Sequence, residues 1–154
     1  MVKKPKIIPL FRENYLAMVE KSVGARMFRN LFAEVSGKKQ DITENGILSC
    51  AYFVSSILVI FDLIKKIHAT VGGTVKDMKK CGWKEIKRPR KGSVLVWEAK
   101  DFDGEHHQHI GFFIGDKQAV SNSYRKRVPV IHHWTFKGER KIEAIFWHQK
   151  LEKN

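Results

Sequence analysis

Ser49-Cys50-Ala51-Tyr52-Phe53-Val54-Ser55-Ser56-Ile57-Leu58-Val59-Ile60-Phe61 is the stretch on which the fold turns. Phe53, Val54, Ile57, Leu58 and Phe61 recur near i, i+3 and i+4, the spacing of a helix with a buried face. The helix is expected over Ser49–Ile67. Asn45-Gly46-Ile47-Leu48-Ser49 before it reads as a turn and cap. Cys50 therefore falls in the first helical turn, where unpaired backbone N–H groups and the helix dipole favour a thiolate. The uncharged run from Ile47 to Phe61 is too short for the ~20 residues of a membrane span, and Asp62, Lys65 and Lys66 interrupt it, so it reads as a core helix.

Working outward, the chain changes character near residue 90. Toward the N-terminus, Glu13–Val35 carries helical spacing through Met18, Met27, Phe28, Leu31 and Phe32, with Gly24 as a break and Gly37-Lys38-Lys39 as its end. Val71-Gly72-Gly73 reads as a loop, and Thr74 as the N-cap of a short helix through Lys80 that stops at Gly82. After the basic turn Lys87–Lys91, strands are expected at Ser93–Glu98, Gln108–Ile114, Gln118–Tyr124, Val128–Trp134 and Ile142–His148. Loops containing Asp101, Asp103 and Gly104, then Gly115-Asp116, then Lys137-Gly138 separate several of them. Such close spacing favours antiparallel hairpins. Helices followed by strands define an α+β domain, here one domain over 1–154 with an N-terminal helical extension over 1–44.

The 154 residues are 43% hydrophobic, enough for one sizeable core. The 29 Lys and Arg against 16 Asp and Glu leave a net charge of +13. That field attracts polyanions: nucleic acid, an anionic membrane surface or an anionic cell-wall polymer. The two cysteines, Cys50 and Cys81, form no disulfide framework and no Cys-x-x-Cys pair, although one bridge between them is conceivable. The opening MVKKPKIIPLFRENY lacks the apolar core of a secretory signal. The chain is accordingly read as having no signal peptide and no integral membrane span, hence as cytoplasmic or exported by an unrecognised route.

A cysteine nucleophile needs a base, and an imidazole is the usual one. His109 lies on a strand where His109, Gly111 and Phe113 share one face and Ile110, Phe112 and Ile114 the other. Gly111 leaves room beside His109 for the helix carrying Cys50. A third polar group commonly orients the imidazole. The next strand offers Ser121 and Asn122 on opposite faces. Asn122 is the better acceptor for a ring N–H, and His132 and His133 are further candidates. His106, His107 and His109 invite a metal reading, but no carboxylate or thiol stands at a diagnostic spacing, and no metal or cofactor is expected. Cys81, beside Gly82 among lysines, reads as a surface thiol. The basic clusters Lys87–Lys91 and Arg125–Arg127 read as solvated loops or a polyanion site.

Four segments in order carry a family pattern. Ser49-Cys50-Ala51-Tyr52-Phe53-Val54 resembles the Asp-Cys-Ser-Gly-Phe-Val segment of NlpC-like cell-wall cysteine peptidases. Thr74–Lys91 resembles the family's short helix and connecting segment, and Gly92-Ser93-Val94-Leu95-Val96-Trp97 its Gly-Asp-Leu-Val-Phe-Phe strand. His109-Ile110-Gly111-Phe112-Phe113-Ile114-Gly115-Asp116 is similar to its His-Val-Gly-Ile-Tyr-Ile-Gly-Asp strand and turn. The resemblance covers residues 45 to 124. It implies a papain-like fold with the nucleophile helix on a C-terminal antiparallel sheet. It also implies hydrolysis of amide bonds in peptidoglycan stem peptides, with Cys50 as nucleophile and His109 as base. The family's third residue, often His, falls on Ser121, with Asn122 adjacent. Ser49, Ala51-Tyr52 and Ser93 depart from the pattern, and Tyr52 in place of glycine is expected to narrow the groove or tune the pocket. The rival readings keep the same dyad on a non-wall substrate, as amidase, thioesterase or acyltransferase, or make the chain a non-catalytic module for a polyanion.

Overall fold

The computed structural model describes residues 1–102 and 104–152, so Asp103 of the expected loop lies outside the described residues. Helix α1 spans Phe11–Lys21, and Tyr15 and Val19 on one side of it are fully buried. The helical pattern does not continue to Val35. The helix ends at Lys21, Gly24 (φ +80°) lies in the turn after it, and a hairpin follows, β1 (Phe32–Val35) and β2 (Lys38–Asp41). Its turn residues Ser36 and Gly37 both have positive φ, the conformation that matches the twist of a two-residue hairpin. Of the apolar residues that suggested a helix here, Phe28 is buried, while Met27 and Phe32 are 71% and 59% exposed. The N-terminal 44 residues are thus one helix and one hairpin rather than a helical extension.

Helix α2 (Cys50–Ile60) is the expected central helix, shorter by most of two turns at its C-terminal end. Asp62 takes a left-handed conformation (φ +53°) there and ends it. Helix α3 (Val71–Lys80) begins earlier than expected: Thr70 caps it by accepting from the Gly73 N–H at 3.0 Å, which draws Gly72 and Gly73 into the first turn. Thr74 lies inside that helix and donates to the Thr70 carbonyl at 2.8 Å.

The remaining strands, β3 (Lys84–Glu85), β4 (Val94–Phe102), β5 (Glu105–Gly115), β6 (Gln118–Ser123), β7 (Val128–His133) and β8 (Ile142–Trp147), form one sheet in the order β3-β8-β4-β5-β6-β7. Each neighbouring pair is antiparallel. The fold is therefore α+β. Asp101 belongs to β4 rather than to a loop, because the β4–β5 hairpin extends to Phe102 and Glu105 and the Asp101 carboxylate meets His106 Nδ1 at 2.7 Å across it.

The two faces of the sheet bury different cores. Val94, Val96, Ile110, Phe112 and Val120 pack with Phe53, Val54, Ile57 and Leu58 of α2. Leu95, Trp97, Ala119 and Ile145 make a smaller cluster on the opposite side, with Phe113, Trp134 and Phe136 against it. Alternation along β5 assigns its residues to these faces as the sequence predicts. Gly111, however, makes room for its own sheet and not for α2. A Cβ at that position would lie 2.6 Å from the Val120 carbonyl oxygen, 2.7 Å from Ser121 Cβ and 3.1 Å from the Trp97 ring. Among the described residues no helix is long and apolar enough to cross a membrane.

Candidate active site

Cys50 is the first residue of α2, and the turn before it is tightly determined. The Asp41 carboxylate, at the end of β2, accepts from the backbone N–H groups of Leu31, Thr43 and Asn45 and from the Thr43 and Asn30 side chains. Gly46 has φ +93°, and a Cβ there would fall 2.7 Å from Arg127 Cβ and 2.8 Å from the Arg127 carbonyl oxygen. The Asn122 amide donates to the Gly46 carbonyl at 2.8 Å, tying this turn to β6. Ser49 occupies the N-cap but makes no side-chain cap bond, so its hydroxyl does not engage the N–H groups of the first turn.

The Cys50 thiol rests at the helix start beside its own N–H and that of Ala51, and against the Ile110 N–H of β5. Ile110 directly follows His109, so the sulfur lies one peptide unit from the residue that carries the imidazole. Both side chains line a single cleft of about 730 Å³, together with Ser121, His132, Phe136 and Arg140 among others. Among the described residues the thiol and the ring are not joined by a hydrogen bond.

Behind His109 runs a chain of short hydrogen bonds. His109 Nε2 lies 2.8 Å from Ser121 Oγ, and Ser121 Oγ lies 2.7 Å from His132 Nε2. His132 Nδ1 is 2.8 Å from the His133 carbonyl oxygen. The last contact fixes the others. A carbonyl only accepts, so His132 Nδ1 carries a proton, and in the neutral ring Nε2 is then an acceptor. The Ser121 hydroxyl donates to it and in turn accepts from His109 Nε2–H. His109 Nδ1 is left without a proton, as a base requires.

Register produces this chain. Ser121 pairs with Val130, and Ala119 with His132, so Ser121 and His132 are diagonal neighbours on one sheet face. Asn122, on the other face, is committed to Gly46 and does not orient His109. His133 does not either: its Nδ1 accepts from Thr135 N–H and Lys137 N–H, capping the turn that follows β7. Ser121 is therefore the residue that meets His109 Nε2, and His132 stands behind it.

Aromatic rings wall the imidazoles. Trp97 lies 5.3 Å from His109 and 5.6 Å from His132 between ring centroids, and Phe136 stacks on His132 at 4.1 Å. Burial, then the charges of Arg140 and His132, push the His109 pKa down from its ordinary 6.5 to about 3. Burial likewise pushes His132 down. Burial raises the Cys50 thiol above 9.0, and the N–H groups of Ile110 and Ala51 and the Arg140 charge only partly offset it. The expected resting thiolate is thus corrected to a neutral thiol in the cleft it shares with a neutral imidazole, because desolvation outweighs the helix terminus.

Several expectations about other residues change. Tyr52 packs edge-on against Phe28, with ring centroids 6.2 Å apart, and so belongs to the core side of α2 rather than to the groove. Cys50 and Cys81 are both free thiols. Cys81 Sγ lies 3.4 Å from the Asp77 carboxylate and is not the plain surface thiol expected. His106 pairs with Asp101, His107 with Glu105 and His109 with Ser121. Among the described residues no group of three His, Cys, Asp or Glu side chains could hold a metal ion. Trp97, Phe136 and Arg140 were not candidates from sequence. Arg140 sits in the basic stretch Lys137–Lys141, where no spacing distinguishes it.

No protein-family model matches the chain, and comparison with curated proteins finds no match.

Proposed function

We propose that the protein is a papain-like cysteine hydrolase that cleaves an amide, with Cys50 as nucleophile and His109 as base. The observation that carries this reading is the chain His109–Ser121–His132, which leaves His109 Nδ1 without a proton on a residue that lines the same cleft as Cys50 at the start of α2. The resemblance of residues 45 to 124 to NlpC-like peptidases adds support and favours a peptidoglycan stem peptide as substrate.

In the proposed reaction His109 Nδ1 takes the thiol proton as Cys50 sulfur bonds to the carbonyl carbon. The neutral resting pair makes this a general-base step coupled to attack. Backbone N–H groups of the first turn of α2, which Ser49 leaves uncapped, stabilise the oxyanion. His109 then protonates the leaving nitrogen as the C–N bond breaks, giving a thioester. Water, deprotonated by His109, attacks that thioester, and the acid and the thiol are released.

The test is hydrolysis of muropeptides and simple acyl-thioesters by the wild-type chain and by Cys50→Ala. Loss of turnover in the variant, with the fold retained, is expected. Full activity in Cys50→Ala rules the mechanism out. Cleavage of acyl-thioesters alone moves the substrate away from the cell wall while keeping the dyad.

A further inference from the structure

Arg140 stands at the cleft with Cys50 and His109 and has no role in the chain of proton contacts. Its guanidinium is held from behind: Nε donates to the Glu98 carbonyl and Nη2 to the His107 carbonyl, both at 2.9 Å. These bonds fix the plane of the fork and leave Nη1 without a hydrogen bond among the described residues. Both acceptors are backbone carbonyls, and among the described residues no carboxylate forms an ion pair with it. The Glu98 carboxylate nearby accepts from the Lys141 N–H instead. A partly buried, immobilised guanidinium with open donors is a ready partner for a planar carboxylate.

The rest of the cleft has the same sign. Lys100 and Arg125 also line it, and its acid, Asp101, is already paired with His106 at 2.7 Å. Arg125 lies against the Tyr124 ring and Lys100 donates to the Glu139 carbonyl. Both are exposed, whereas Arg140 is partly buried near the sulfur.

We propose that Arg140 is a substrate-binding residue that seats a free carboxylate next to the scissile bond, so that the cleft takes peptide amides with an anionic group beside the carbonyl under attack. The proposal rests on the hydrolase reading and names the substrate feature that the site recognises. Arg140 also holds the thiol's pKa down through its charge. Charge alone would treat any anion equally from a distance, whereas the fixed fork requires a carboxylate within hydrogen-bond reach.

The experiment compares alkylation of Cys50 by iodoacetate and by iodoacetamide in the full chain carrying Cys81→Ser, with each rate divided by that of glutathione. The two reagents differ in a carboxylate, and neither needs turnover. The normalised iodoacetate preference is expected to reach about tenfold, the size of one charge-assisted contact. It should fall to near one in Arg140→Gln and partly in Arg140→Lys, while Arg125→Gln at the rim should change it by less than about twofold. Near-UV circular dichroism verifies the fold of each variant. If Arg140→Gln does not fold, the wild-type preference and Arg140→Lys decide. A wild-type preference near one, or a loss as large in Arg125→Gln as at Arg140, overturns the proposal and leaves the hydrolase reading standing. A Cys50 inert to both reagents defeats the hydrolase reading, and this proposal with it.

Discussion

His109 Nε2 and Ser121 Oγ are 2.8 Å apart, and the serine hydroxyl is itself committed to His132 Nε2 on the far side. A lone serine orients an imidazole weakly, since its hydroxyl rotates and both donates and accepts. With its proton directed to His132, it is an acceptor toward His109. The serine thus does for the ring what a carboxylate or amide oxygen does elsewhere.

Ser121→Ala removes this relation without adding bulk. The base would lose its fixed tautomer, and His132 Nε2 would lose its donor. One buried hydrogen bond of this kind is worth roughly 1–3 kcal/mol, so kcat should drop about 10–100-fold with KM little changed. His132→Phe keeps the aromatic wall but frees the Ser121 proton, and should reproduce much of that loss. The double variant should be little worse than either single one, because the residues act as a unit. Additive losses would separate Ser121 from His132.

The resting state follows from the desolvation of the two half-buried groups. The Cys50 thiol is pushed above 9.0, so its alkylation rate should climb with pH and reach its midpoint above 9.0. Arg140→Gln removes a charge that holds this value down and should move the midpoint higher still. A midpoint near 7 would instead mean a preformed thiolate–imidazolium pair.

His109 also makes stability depend on pH. Its folded pKa of about 3 lies below the ordinary 6.5, so between these values the unfolded chain binds a proton that the folded chain refuses. Stability is therefore lost as pH falls from 6.5 toward 3, by at most about 1.4 kcal/mol per unit from this group. Urea midpoints measured across that window should fall less steeply in His109→Gln, whose amide still donates to Ser121. Parallel curves for the two proteins would show that His109 is solvated and titrates normally.

How much of this was legible depended on whether a residue's role is local. Val94–Trp97 read correctly as a strand because both of its faces are buried, and His109–Ile114 because one face is buried and the other half-buried, which leaves nearly continuous apolar runs. Cys50 and His109 stood out because each sits in a recognisable stretch. The hairpin Phe32–Asp41 did not. Its apolar residues fit helical spacing by accident, and positive φ at Ser36 and Gly37 together with the hydrogen bonds that Asp41 collects overrode that spacing. The link from Ser121 to His132 depends on the β6–β7 register, and Arg140 reaches the cleft only because carbonyls on β4 and β5 hold it there. Neither relation has a signature within a short window of sequence.

Gly111→Ala tests the packing beneath the base. The new methyl would meet the Val120 carbonyl oxygen at 2.6 Å and Ser121 Cβ at 2.7 Å, and both belong to the neighbouring strand. Backbone cannot yield as a side-chain tip can, so β5 and β6 must separate. Overpacking of this kind costs about 1–3 kcal/mol. Because Ser121 moves with the strand, kcat should fall alongside the melting temperature. Retained activity with lowered stability would show that the His109–Ser121 contact tolerates the shift.

Asp77 supports the site from further away, by docking α3 onto the segment that follows α2. Its carboxylate accepts from Lys65 N–H at 3.2 Å, Lys66 N–H at 3.0 Å and His68 Nε2 at 2.7 Å, with Cys81 Sγ at 3.4 Å. Burial alone would raise its pKa, but the bonds from His68, Lys65, Lys66 and Cys81 outweigh it and hold the value at about 2. Asp77→Asn turns one accepting oxygen into a donor that faces another donor. The expected cost is roughly 1–3 kcal/mol, or about 2–4 °C of melting temperature per kcal/mol in a chain of this size. The carboxylate's contribution is complete above its ordinary 3.8 and disappears as pH falls through about 2. Wild type and Asp77→Asn should therefore differ in urea midpoint at pH 7 and converge near pH 2. A gap that persists at pH 2 would mean that the substitution acts through packing, and that the charge on Asp77 contributes nothing to the docking of α3.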